Sequence, residues 1–174
     1  TGKSAIVPVV LIEGTESDYW QQWEAYVREE FLKGGFISPE DTSLYHLARD
    51  PQDAADHVSR FYANYHSARY VGSDYVIRIK HPLTDNQLVQ LNMDFARLVQ
   101  TGHIQQREAY DVEGEFTDLP RIAFHHTRRA FGTMRRLIDR LNDYAIDNGV
   151  DPLARWDPAT ELDKLDPHLP SVRV

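Results

Sequence analysis

The stretch "RIAFHHTRRAFGTMRRLIDR", residues 121–140, places six arginines and a single acid, Asp139, in a short span. A guanidinium is a permanent cation whose planar donors fit a carboxylate or a phosphate. Arg128 and Arg129 fall just before a run in which Phe131, Met134, Leu137, Ile138, Leu141 and Ala145 recur at helical spacing. Cations at a helix start are disfavoured by a few tenths of a kcal/mol to about 1 kcal/mol. Their placement makes sense if an anion shares the spot, such as a nucleotide phosphate or a carboxylate. Arg128 and Arg129 are therefore candidate binding residues for a phosphate-bearing small molecule. A solvated basic face, or arginines paired with the acidic first part of the chain, are the alternatives.

Other chemistries find less support. The eight histidines form no H-x-x-x-H pair and the chain has no cysteine, so no metal site and no cofactor are expected. His125 and His126 are adjacent, and on a strand they would point to opposite faces. No G-x-S-x-G elbow is present. Carboxylates are plentiful, but sequence spacing alone brings no two of them to glycosidase separation. No catalytic residue is assigned.

The charge pattern limits the partners. The formal net charge is −8, and the acidity lies at the front: residues 1–68 hold 5 basic and 11 acidic side chains, while residues 69–148 hold 11 of each. Clustered cations carry phosphate-backbone affinity, so a nucleic-acid partner is not expected. The longest apolar run, "AIVPVVLI", is far short of the roughly 20 residues a membrane helix needs, so no membrane partner is expected. The start "TGKSAIVPVV" reads as an apolar strand followed by Glu13 and Glu16 and not as a leader peptide. The lack of cysteine fits a reducing cytoplasm.

The elements come from periodicity. Residues 5–12 read as a strand buried on both faces, with Pro8 near its start. Residues 18–33 read as a helix capped by Asp18 or Ser17, with Gly34 or Gly35 as its left-handed end. Ser38 and Pro39 restart a short helical turn, residues 44–48 form a second short strand, and Asp50-Pro51 open a helix reaching about residue 68. Strand, helix, strand, helix is half of a doubly wound α/β fold. Beyond Gly72 the chain reads as strand 74–80, a helix from Thr84 or Asp85 ending at Gly102, strands 104–113 and 120–127, and helix 131–147. This predicts a small α+β unit of order β-α-β-β-α. The domains are thus 1–68, α/β; 69–149, an α+β accessory unit; and 150–174, an extended tail.

The landmarks "PVVLI" at 8–12, Tyr19-Trp20, "GGFISP" at 34–39 and the helix after Asp50-Pro51 resemble the C-terminal part of the LONELY GUY (LOG) family, whose members often carry the label "possible lysine decarboxylase". The resemblance covers roughly residues 1–66 and extends to "TGK" at 1–3, which is similar to the end of the preceding helix in longer bacterial members. It implies a Rossmann-like doubly wound parallel sheet and a cytoplasmic, homo-oligomeric phosphoribohydrolase that splits a nucleoside 5′-monophosphate into base and ribose 5-phosphate. The family's P-G-G-x-G-T-x-x-E motif is not in this sequence, where the one Gly-Gly pair, 34–35, follows a helix. No catalytic residue is carried over, and the chain alone is expected to be inactive. Ligands of open α/β sheets bind beyond the carboxyl ends of the strands. Glu13, Gly14, Thr15 and Tyr19, in the loop after the first strand, are therefore candidate binding residues. A plain strand-to-helix loop is the alternative. Lysine decarboxylation is rejected, because Lys3, Lys33, Lys80 and Lys164 are the only lysines and none has a recognisable pyridoxal-phosphate setting. The rival functions are a non-enzymatic nucleotide- or anion-binding regulatory module and an oligomerisation module using the three tryptophans and the tyrosine-rich helix 51–68.

Overall fold

The computed structural model describes residues 6–14 and 16–154. Thr15, the "TGK" start and the tail from residue 155 on lie outside the described residues.

The first unit is a short β-α-β-α run. Strand β1, Val10–Ile12, pairs in parallel with β2, His46–Ala48. Strand formation begins only after Pro8 and Val9, so the expected strand 5–12 is shorter than its apolar run; proline cannot donate to a ladder. Helix α1, Tyr19–Tyr26, continues as a π-helical turn, Val27–Leu32. Both glycines at its end are needed. Gly35 adopts φ +73°, while a Cβ on Gly34 would lie 2.5 Å from the Glu30 carbonyl oxygen. Pro39–Leu44 then form a 3₁₀ turn, with the Asp41 carboxylate accepting from both the Ser38 N–H and its hydroxyl. Helix α2, Pro51–Phe61, starts at Asp50, which accepts from Asp53 N–H at 2.8 Å.

The second unit differs from expectation by one strand. Its order is β3 (Tyr65–Val71), β4 (Asp74–Ile79), α3 (Asp85–Phe95), β5 (Val99–Arg107), β6 (Arg121–His126) and α4 (Phe131–Asp147), with an antiparallel sheet of order β3-β4-β6-β5. Residues 62–68 are therefore not the end of a helix, and β3 runs through the expected 68/69 boundary. The cause is a long-range catch. Asn142 Oδ1 accepts from the N–H groups of Asn64 and Tyr65 at 2.8 Å each, and its Nδ2 donates to Phe61 O at 2.7 Å. Buried on α4, Asn142 stops α2 and starts β3. Helix α3 likewise ends before Gly102, which sits inside β5 at φ +79°, where the pairing with β6 shifts register. Strand β5 stops at Arg107, short of the expected residue 113.

One face of this sheet is apolar. Tyr75, Ile77 and Ile79 of β4, Ile104 of β5 and Ile122 and Phe124 of β6 pack under Leu91 and Phe95 of α3 and Met134, Leu137, Ile138 and Leu141 of α4. Each such fully buried side chain contributes about 1.5–3 kcal/mol. The outer edge of β5 is blunted by Asn92, whose amide bonds both the N–H and the C=O of Ile104 at 2.8 Å. The mixed α/β composition is as expected, but among the described residues the parallel sheet has two strands.

Candidate functional site

Of the residues singled out after β1, Glu13 serves α1. Glu13 Oε1 accepts from Trp20 N–H at 2.6 Å and Gln21 N–H at 3.1 Å, and Oε2 accepts from Gln21 Nε2 at 2.7 Å. The helix is thus capped from seven residues upstream, whereas Asp18 makes no side-chain cap bond. Glu13 already places a carboxylate where a helix start would attract an anion. Gly14 accepts from Ser17 N–H at 3.1 Å, and Tyr19 is largely exposed with its ring against Trp20.

At α4, the Arg128 guanidinium lies 4.6 Å over the Tyr70 ring, and the Arg129 carbonyl accepts from His126 Nε2 at 3.1 Å. That bond fixes the proton on Nε2, so Nδ1 accepts from the Tyr70 hydroxyl at 2.9 Å. Burial holds the buried His126 below the usual histidine range. His125 turns the other way, to Thr101 at 2.8 Å, as adjacent strand residues must. The first turn of α4 is not open. Gly132, Thr133, Met134 and Arg135 are buried, and Gly132 lies against the backbone of Glu40. Glu13 and Arg128 share no hydrogen bond, ion pair or ring contact among the described residues.

Two polar clusters that sequence reasoning did not assemble carry more chemistry. The first lies between β2, α2 and α4. His46 and His57 stack with centroids 4.2 Å apart, and His46 Nε2 is 3.3 Å from an Asp53 carboxylate oxygen. Arg135, from the expected anion-binding stretch, is buried there instead. Its Nη2 donates to His57 Nε2 at 3.1 Å, its Nε donates to Asp139 at 2.9 Å, and it lies 4.7 Å over Phe61. A cleft of about 160 Å³ opens beside His57, Arg60 and Asp139. Burial first, then the neighbouring His46 and Arg135, push His57 down to about 4.

His57 titrates near 6.5 when unfolded and about 4 when folded. The unfolded chain therefore binds more protons between those values, and folding stability falls as pH drops from 6.5 towards 4. The slope is at most about 1.4 kcal/mol per pH unit, and less because part of the ring meets solvent. His57→Gln keeps an acceptor for Arg135 without titrating. Thermal unfolding measured from pH 7 to 4 should show a flatter dependence for this variant than for the parent; equal slopes would contradict the assignment.

The second cluster lies on the helix-free face of the sheet, under loop 108–120. Glu113, fully enclosed, meets Arg78 at 2.9 Å, Arg121 at 3.2 Å and Arg69 at 3.8 Å. Arg121 also donates to the carbonyls of Glu115, Phe116 and Leu119. Burial raises the Glu113 carboxyl, but the bonds from Arg121, Arg78 and the Tyr110 N–H outweigh it and hold the group at about 2. No group of three or more His, Asp and Glu among the described residues is placed to hold a metal ion. No helix among them is long and apolar enough to cross a membrane. No family model, curated protein or solved structure matches this chain.

Proposed function

We propose that the chain is the C-terminal part of a LOG-like nucleoside 5′-monophosphate phosphoribohydrolase, with an α+β accessory unit appended. The observation that carries this reading is the parallel β1–β2 pair with α1 between the strands and α2 after them. Parallel strands are ordinarily covered on both faces by helices and flanked by further strands. Here Val7 and Val9 ahead of β1 and Ile12 on it stay exposed, and an apolar hollow of about 310 Å³ remains beside Val10 and the α2 residues Ala54, Ala55 and Val58. In the proposed parent protein, upstream strands and the glycine-rich motif fill that side. Glu13 and Gly14 after β1 and the turn at 48–50 then border the ligand edge, beyond the carboxyl ends of β1 and β2. The reaction adds water across the N-glycosidic bond, with hydroxyl to the sugar and proton to the base. The parent would be a cytoplasmic homo-oligomer.

The test is base release from AMP and other nucleoside monophosphates, followed by chromatography. The parent protein should turn over and the 174-residue chain should not. Robust release by the purified chain alone would contradict the proposal. A second reading, a non-enzymatic nucleotide- or anion-binding module, rests on Arg128 and Arg129, which stay exposed ahead of α4 with no ion pair among the described residues. Calorimetric binding of a nucleotide without turnover by the parent would select it.

A further inference from the structure

The helix-free sheet face carries a groove of about 270 Å³ beside loop 108–120, away from both parallel strands. Its floor follows from strand register. Asp74 of β4, His125 of β6 and Thr101 of β5 are cross-strand partners and form one row. Ala123 and Gln105 pair in the next row, and the small Ala123 side chain leaves depth there. The register shift between Thr101 and Gln105, with Gly102 at φ +79°, interrupts the β5–β6 pairing beside the groove. Tyr110 reaches over from the loop and donates to Asp74 Oδ2 at 2.7 Å, while Arg107 lies 3.6 Å over its ring.

The lining selects by chemistry. An anion would face Asp74, and a cation would face Arg107. An apolar ligand would find little beyond Ala123, because Arg107 already covers the Tyr110 ring. The remaining polar side chains are Ser73, Thr101, His103, Gln105 and His125, each with both donor and acceptor capacity. Hydroxyl groups have the same dual character, and one Asp74 oxygen remains for a hydroxyl pair. We propose that this groove is a binding site for a neutral, polyhydroxylated ring of single-sugar size. Asp74 accepts from its hydroxyls, and His125, Thr101 and Gln105 exchange hydrogen bonds with the remainder. The site lies within the α+β unit and does not depend on the phosphoribohydrolase reading.

The test is a titration of the ¹⁵N-labelled chain with D-ribose, D-glucose, adenosine, ribose 5-phosphate and inorganic phosphate. A neutral sugar or the nucleoside should shift the amides of residues 101–107 and 123–125 with saturable behaviour below about 50 mM. The free-sugar and nucleoside arms show which molecule carries the ring. Thr101→Val with Gln105→Leu, both at exposed positions, should keep the spectrum dispersed and weaken binding about tenfold, the loss of one or two hydrogen bonds. Shifts with phosphate-bearing ligands alone, no saturable shift with any sugar, or binding that the double variant leaves unchanged would each overturn the proposal.

Discussion

Glu113→Ala is expected to cost about 3–5 kcal/mol of folding stability. The loss does not come mainly from the ion pairs themselves. Arg78 and Arg121 are almost completely enclosed, and the alanine variant leaves both guanidiniums without their carboxylate. A buried pair broken from one side costs far more than the same site rebuilt from apolar residues. Whole domains are stable by about 5–15 kcal/mol, so this one change removes a large share of a typical domain's stability. Arg69→Ala is the control. Arg69 is 42% exposed and 3.8 Å away, which places its contribution in the surface range of about 0–1 kcal/mol. The pH dependence has a definite sign. The Glu113 carboxyl is held at about 2, below its ordinary value of 4.5, so its contribution is present above pH 4.5 and is lost as pH falls towards 2. Urea unfolding of the three proteins decides the matter, and a Glu113→Ala cost below about 1 kcal/mol would show that loop 108–120 is not held by this cluster.

Gly132→Ala is expected to destabilise by about 3 kcal/mol, against the sign that helix propensity gives. In an exposed helix, replacing glycine by alanine gains about 1 kcal/mol. Gly132 lies in the first turn of α4, where an added Cβ would stand 2.5 Å from the Glu40 carbonyl carbon and oxygen and 2.6 Å from Asp41 N. Those are backbone atoms of the 3₁₀ turn at 39–44 and no side-chain rotation relieves them, so the cost reaches the upper end of overpacking, about 3 kcal/mol. The turn would separate from α4 and lose the Ser43 hydroxyl bond to Gly132 O at 3.3 Å and the Arg97–Glu40 pair at 2.9 Å. Limited proteolysis should then cut faster around residues 34–44 while the α+β sheet stays protected. A stabilised variant with unchanged proteolysis would mean that the turn does not press on α4.

The elements with strong local signals were legible. Helix α4 spans Phe131–Asp147 as its apolar period predicts, and Thr84 and Gln87 form the expected kind of helix start, each accepting from the other's N–H. The Ser38-Pro39 turn and the parallel order of the first two strands were legible for the same reason. Strand β3 was not, because its start is set by Asn142, 77 residues further along the chain from Tyr65, and the stripe Ala54, Val58, Phe61, Tyr62, Tyr65 continues helical spacing past the true end of α2. The arginine-rich stretch was legible as unusual, but its arginines divide by environment. Arg121 goes to Glu113, Arg128 to Tyr70 and Arg135 to His57 and Asp139. Asp139 is an i,i+4 neighbour on α4, but Glu113, Tyr70 and His57 lie elsewhere in the chain, and no local spacing announces them. The Glu13 cap on α1 was hidden in the same way, since a helix start seven residues downstream of its capping group follows none of the usual cap patterns.

The most direct measurement is the intact mass of the native protein from its source, read together with the coding sequence upstream of Thr1. If the chain is the rear of a LOG-like enzyme, the native species is larger than 20.1 kDa and carries a glycine-rich phosphate motif ahead of "TGKSAIVPVV". A native mass of 20.1 kDa with no such motif in frame would contradict that account and leave the exposed side of β1 to be explained by a different partner.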